Sequence, residues 1–233
     1  MTPLRRRFVD HLHLSNLSER TVQAYVACVA SFARHHRKSP EDLGIDDVRA
    51  FLLHLRRVRK LGPASQKMHL AALRHLYTHV LGRPEATAGI PHPKVPPRRP
   101  DLPTAQELRR LFDAARLPWH RAAFVTLYGT GLRVSELVAL QPHDIDSAAG
   151  LVHVRRGKGS RTRWVMLSHW LLRELREYWR LTRPPGPWLF PSARPEHHAS
   201  PRALQAALTL AARRAHIHRK ITPHVLRHAF ATG

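Results

Sequence analysis

Apolar residues recur at helical spacing through the first ninety positions of the chain. In NLSERTVQAYVACVASFARHHRK, Val22, Val26, Val29 and Phe32 share a face with Tyr25 and Ala33, and Ser18 stands where an N-cap belongs. IDDVRAFLLHLRRVRK puts Val48, Phe51, Leu52 and Leu55 on one stripe, which starts from Asp46 and stops before Gly62-Pro63. SQKMHLAALRHLYTHVL repeats the pattern with Ala72, Leu73, Leu76, Tyr77 and Val80, and Gly82 closes it. With a short leading helix over 3–12, the spacing predicts a four-helix unit.

The texture then changes. PHPKVPPRRPDLP, Pro91 to Pro103, holds six prolines, each without the N–H that a helix or sheet would use, and reads as a stiff extended linker. Beyond it, Thr104 and Glu107 have the spacing of a capping box. WHRAAFVTLYGTG predicts a mostly apolar helix that ends at a Gly-Thr-Gly turn. Ile145, LVHVRR and TRWVML predict a small β region, with GKGS as the turn between the last two. HWLLRELREYWRL and SPRALQAALTLAARRAHI return to helix, and TPHVLRHAFATG opens another, with Thr222 as its cap and Pro223 in the first turn. The fold class is therefore mainly α with a small antiparallel β region. It comprises a helical bundle over 1–90, a linker over 91–103 and a mixed α+β domain over 104–233.

Composition adds one strong constraint. Thirty-nine Lys and Arg face sixteen Asp and Glu, for a formal net charge of +23. A GC-rich genome inflates Arg, but it does not explain the shortage of acids. Such an excess points to a polyanion, either nucleic acid or an anionic membrane surface. Apolar residues are 43% of the chain, enough for a core, and no apolar run approaches the ~20 residues of a membrane span. MTPLRRRFVDHL has basic residues with no apolar core after them, so it does not read as a signal peptide. A lone cysteine, Cys28, suits a reducing cytoplasm. Arg56, Arg57, Arg59, Lys60, Lys67 and Arg74 lie between the apolar stripes, as either a solvated face or a phosphate-facing one.

Three motifs carry candidate chemistry. In GTGLRVSELVAL, Ser135 is a candidate cap and Glu136 suits a first turn, whereas Arg133 at a helix N-terminus calls for an anion. It is either a surface partner of Glu136 or a ligand for something negative. RRGKGSRTR places Lys158 between two glycines, at the tip of a hairpin turn. In TPHVLRHAFATG, His224, Arg227 and His228 fall at i, i+3 and i+4. Taken together, two guanidiniums can offer forks of donors to the non-bridging oxygens of one phosphodiester. Charge grows on those oxygens in the transition state, and an imidazole or ammonium can protonate the departing oxygen. Such phosphoryl transfer needs no cofactor and no metal, but it does need a nucleophile.

The order TGLRVSEL, GKGSRTR, HVLRHAFAT resembles the tyrosine recombinase (phage integrase) family, and its Xer-type members most. The resemblance extends to SERTVQAYVACVASFARH, similar to the family's core-binding domain, and to RPDLPTAQELRRLF, similar to the entry of its catalytic domain. It implies that Arg133 and Arg227 clamp the scissile phosphate, that Lys158 is a general acid, and that His224 serves the phosphate site and proton transfer. Glu136 would support the architecture, and His228 would be a packed neighbour. Double-stranded DNA is the implied partner, with a homo-oligomer assembled on it. In the family a further His or Trp and then the nucleophilic tyrosine follow the second Arg motif; here the last tyrosine, Tyr178, precedes it. The expectation is a chain truncated before its nucleophile and inactive alone, or else a non-catalytic DNA-binding protein derived from a recombinase. Two rivals are a metal-dependent nuclease using Asp144, Asp146 and Glu136, and a zinc site at His224 and His228, which lacks a third ligand.

Overall fold

The fold is that of a computed structural model, which describes residues 1–96, 101–155 and 162–232, with Thr232 described by its backbone alone. The chain divides into two compact units, Met1–Arg98 and Arg99–Gly233.

The N-terminal unit consists of α1 (Pro3–Leu14), α2 (Glu19–His36), α3 (Ile45–Arg57) and α4 (Pro63–His75), with short 3₁₀ turns between and after them. Its helix starts follow local chemistry. Ser18 Oγ accepts the Thr21 N–H at 3.3 Å, and α4 opens on Pro63, whose missing N–H costs nothing there. α3 starts one residue earlier than the apolar stripe predicts, because the Asp47 carboxylate accepts the Gly44 N–H at 2.8 Å. The predicted final helix also differs at its end. Leu76–Val80 forms a π-helical turn, with Leu81 N–H donating to the Leu76 carbonyl at 3.0 Å. Phe32, Phe51, Leu55, Leu73 and Tyr77 make one buried cluster. Leu4, Phe8 and Leu12 of α1 make another with Val22, Val26 and Leu76. Arg56, Arg57, Arg59, Lys60 and Lys67 are exposed. Arg74 instead turns inward, donating to the Ile90 carbonyl at 2.7 Å and meeting His92.

The C-terminal unit contains α5 (Ala105–Asp113), α6 (Pro118–Thr130), α7 (Val134–Val138), α8 (His169–Thr182), α9 (Pro201–Arg214) and α10 (Pro223–Thr232). Between α7 and α8 lies an antiparallel sheet of β1 (Ile145–Asp146), β2 (Leu151–Val154) and β3 (Arg163–Met166), in the order β1-β2-β3. The capping box of α5 is complete: Thr104 N–H donates to Glu107 at 2.8 Å, and Glu107 N–H donates to Thr104 Oγ1 at 3.2 Å. Phe124, Val125 and Leu127 of α6 are fully buried among Leu111, Leu137, Leu171 and Leu208. α6 ends at Gly131, whose φ of +60° favours a residue without a Cβ. α10 packs on α6, burying Leu226, and the half-exposed Phe230 ring lies so close over Gly131 that a Cβ there would sit 2.5 Å from it.

The register of the sheet matters for the site. Val154 pairs with Arg163 and Val152 with Val165, and directly opposed residues share a face. Val152 and Val154 are buried, so Arg163 lies on the core face of β3. A cation in that position needs an anion.

Candidate active site

The anion is Glu136. Its side chain is 2% exposed and gathers three guanidiniums that are far apart in sequence. Arg163 Nη1 and Nη2 donate to its two oxygens at 2.9 and 2.7 Å, a bidentate fork. Arg133 Nη1 donates to Oε1 at 2.9 Å, and Arg133 N–H donates to Oε2 at 2.8 Å. Arg227 Nη1 stands 4.0 Å from Oε2 and donates to the Gly131 carbonyl at 2.6 Å, so the turn after α6 also holds it. Arg133, not Ser135, is the N-cap of α7. That start puts Glu136 at the third helical position, where its carboxylate can reach back to the cap N–H. Ser135 as cap would have left the carboxylate one residue into the helix and the Arg133 N–H without it.

Three cations around one anion leave a net positive charge of two. Each guanidinium carries several N–H donors, and the contacts above use one side-chain nitrogen of Arg133 and one of Arg227. Their side chains are 44% and 33% exposed, so the remaining donors can meet an anion from solvent. Arg163 spends its fork on Glu136 and was not singled out from sequence. Its signal was there: Arg163, Val165 and Leu167 alternate as one face of a strand whose other members are apolar.

Glu136 also sets an acid limit. Burial alone would raise its carboxyl. The Arg163 fork and the Arg133 backbone and side-chain bonds outweigh it, holding the group at about 2. The ordinary value is about 4.3, so folded Glu136 binds its proton less readily than unfolded Glu136. The stabilisation is therefore complete above about pH 4–5 and is lost as pH falls from there toward 2. Acid titration of unfolding should show this for the C-terminal unit; stability unchanged from pH 5 to pH 2.5 would contradict it.

The other predicted residues are placed as follows. His224 is exposed on α10, one turn before Arg227, and its Nε2 lies 2.9 Å from that of His228. Lys158 falls in 156–161 and lies outside the described residues. The carboxylates of the nuclease rival are committed separately. Asp144 is buried and accepts Arg155 Nε at 2.5 Å and the Gln141 N–H at 2.8 Å. Asp146 closes a turn by accepting the N–H groups of Ala148 and Ala149 at 3.1 and 2.8 Å.

The four tyrosines of the chain, Tyr25, Tyr77, Tyr128 and Tyr178, all precede Arg227. Tyr77 and Tyr178 are buried and donate to carbonyls, Tyr77 to Pro40 at 2.9 Å and Tyr178 to Leu189 at 2.9 Å. Burial pushes both phenols up to about 12. Tyr128 is half-buried on α6, its ring 6.0 Å from that of Phe112, and Tyr25 lies in the N-terminal unit with its ring 5.4 Å from His75.

Comparison with known proteins gives this arrangement a family. The model of the phage integrase family matches residues 103–233, more than half of the chain, and that of the phage integrase N-terminal SAM-like domain matches 4–87. The y4qK protein of Sinorhizobium fredii is 40% identical over 99% of this chain and 75% of its own length. Tyrosine recombinase XerA of Pyrococcus furiosus is 32% identical over 97% of this chain and 77% of its own. A lambda integrase tetramer bound to a Holliday junction is similar in fold, with a TM-score of 0.82 at 20% identity over 98% of this chain and 70% of that one. The segment that brings Arg133 and Arg227 to Glu136 is the segment the family model matches, and the chain belongs to the phage integrase family of tyrosine recombinases.

Proposed function

We propose that this protein is a site-specific DNA recombinase whose phosphate site is built from Arg133 and Arg227. The observation that carries the reading is the net positive cluster on buried Glu136, with two of its guanidiniums partly open to solvent. Arg133 and Arg227 bind the non-bridging oxygens of the scissile phosphate and stabilise the charge that grows there. Arg163 and Glu136 hold that pair in place. Lys158 gives its proton to the departing 5′ oxygen, and His224 supports the phosphate and the proton transfer. The attacking group is a tyrosine oxygen, which bonds to phosphorus as the 5′ oxygen leaves. The phosphotyrosine bond stores the energy for rejoining, and the reverse attack by a 5′ hydroxyl restores the DNA.

None of Tyr25, Tyr77, Tyr128 and Tyr178 is assigned that role in our reading, because two are buried donors to carbonyls and the others pack within helices. The 233 residues alone then act as a DNA-binding module without strand transfer. The exposed cations of α3 and of the segment after it contact the DNA backbone. The protein works in the cytoplasm as a homo-oligomer on duplex DNA, as the lambda integrase tetramer does on its junction. Among the described residues, no helix is long and apolar enough to cross a membrane.

The test is selection of bound duplexes from a random pool, followed by titration at rising salt. For six to ten contacted phosphates, affinity should fall about 10³-fold or more between 50 and 200 mM salt. Binding that changes less than about twofold over that range would contradict the reading.

A further inference from the structure

One group of side chains in the N-terminal unit has no part in the function proposed above. His11 of α1, His75 at the end of α4 and His79 in the π-helical turn each present one ring nitrogen, and the three nitrogens lie within 4.8 Å of one another. Their rings are 5.1 Å apart for His11 and His79, 5.4 Å for His75 and His79, and 5.9 Å for His11 and His75.

The fold holds the triplet together. His75 and His79 are four residues apart, so one helical face carries both. Their spacing spans a π turn, a rare element often found at functional positions. α1 is fastened to that face twice: Leu4, Phe8 and Leu12 pack with Leu76, and Arg7 Nη2 donates to the Val80 carbonyl at 2.7 Å. The neighbouring cation, Arg74, points to the Ile90 carbonyl and His92. Among the described residues, His75 Nδ1 is the one buried side-chain nitrogen or oxygen without a hydrogen-bond partner. Buried polar atoms are seldom left so.

We propose that His11, His75 and His79 bind one divalent transition-metal ion, with zinc as the test ion. Imidazole nitrogens suit zinc, copper, nickel and cobalt, whereas calcium and magnesium take oxygen ligands. Three protein ligands leave a fourth tetrahedral position for water. Zn–N distances of about 2.0–2.1 Å place tetrahedral nitrogens about 3.4 Å apart. The triplet must therefore contract, which exposed His79 can do by turning its ring. The ion ties α1 to the end of α4 and stabilises the N-terminal unit by mass action. It takes no part in phosphoryl transfer. The rival arrangement is three imidazoles that only pack ring against ring.

The experiment uses the whole 233-residue chain, stripped with EDTA and titrated with zinc against a chromophoric chelator. The chain has 19 histidines, so weak sites are expected and variants must single out the tight one. One tight site per chain is expected, weakened at least about tenfold in His79→Ala and in His11→Ala. Zinc should raise the melting temperature of the parent, followed by helical circular dichroism, and not that of His79→Ala. His79 is exposed, so its replacement leaves the fold intact, which the same spectrum checks. His35→Ala alters a separate imidazole pair, whose rings lie 4.3 Å apart, and should keep the tight site. Equal zinc affinity or equal thermal shift in parent and His79→Ala would overturn the assignment, as would loss of the site in His35→Ala.

Discussion

Glu136→Gln is expected to destabilise the C-terminal unit by about 3 kcal/mol at neutral pH. Glutamine keeps the shape and an acceptor oxygen, so the change isolates the charge. Without it, Arg133, Arg163 and Arg227 face one another with no anion between them, and Arg163 loses the partner of its fork on the core side of β3. Removing one partner of a buried ion pair typically costs 3–5 kcal/mol. A carboxyl held at about 2 instead of its ordinary range gives a similar figure by linkage. The lower end applies because Arg133, Arg163 and Arg227 can each reach some water. All five tryptophans lie between Trp119 and Trp188, so their fluorescence in urea reports this unit alone. The gap between parent and variant should shrink as pH falls toward 2, where the parent carboxylate also takes up a proton. A loss under about 1 kcal/mol at pH 7, or a gap that ignores pH, would show that the cluster does not depend on this charge.

Much of the fold was legible because its determinants are local. The stripes through Val22–Phe32 and Val48–Leu55 repeat at helical period, and Ser18, Thr104 and Thr222 cap the helices they precede. The β-prone runs LVHVRR and TRWVML, with Ile145 before them, marked the small β region. The π turn at Leu76–Val80 was not legible, since the stripe of Leu73, Leu76, Tyr77 and Val80 is kept whichever carbonyl each N–H chooses. The start of α7 was misread for a different reason. Ser135 is the better cap by residue type, but Glu136 selects the start that lets its carboxylate reach the Arg133 N–H.

The site was legible in part. Motif order and family resemblance named Arg133 and Arg227, yet their meeting depends on α10 packing against α6, which no local pattern encodes. Arg163 was readable as a cation on an apolar strand face, but its fork on Glu136, 27 residues earlier, is a tertiary contact that no local pattern encodes. The histidine triplet shows the same limit. His75 and His79 have ligand spacing in the sequence, but only tertiary packing brings His11 to them.

The largest effect concerns covalent chemistry. The 233-residue chain is expected to bind a selected duplex without forming a protein–DNA bond. In the proposed reading Arg133, Arg227, Lys158 and His224 stabilise the transition state and none of them supplies an attacking oxygen, while Tyr77 and Tyr178 are buried donors to carbonyls. Water attacks slowly without a positioned base. Joining a downstream segment that carries the family's tyrosine should create the bond. Arg227→Ala in that longer chain should then lower the trapping rate by about 10²–10³, the usual cost of removing a preorganised donor from an oxyanion site. Duplex affinity should change little, since Arg227 is one cation among many.

The most direct measurement is a nicked suicide duplex, built on the selected sequence and resolved on a denaturing gel. The expected result is no DNA-linked band from the 233-residue chain, a strong band from the chain extended by the tyrosine segment, and a band at least about a hundredfold slower to form with Arg227→Ala. A DNA-linked band from the 233-residue chain alone, or one formed at the parent rate by Arg227→Ala, would contradict the assignment of this site.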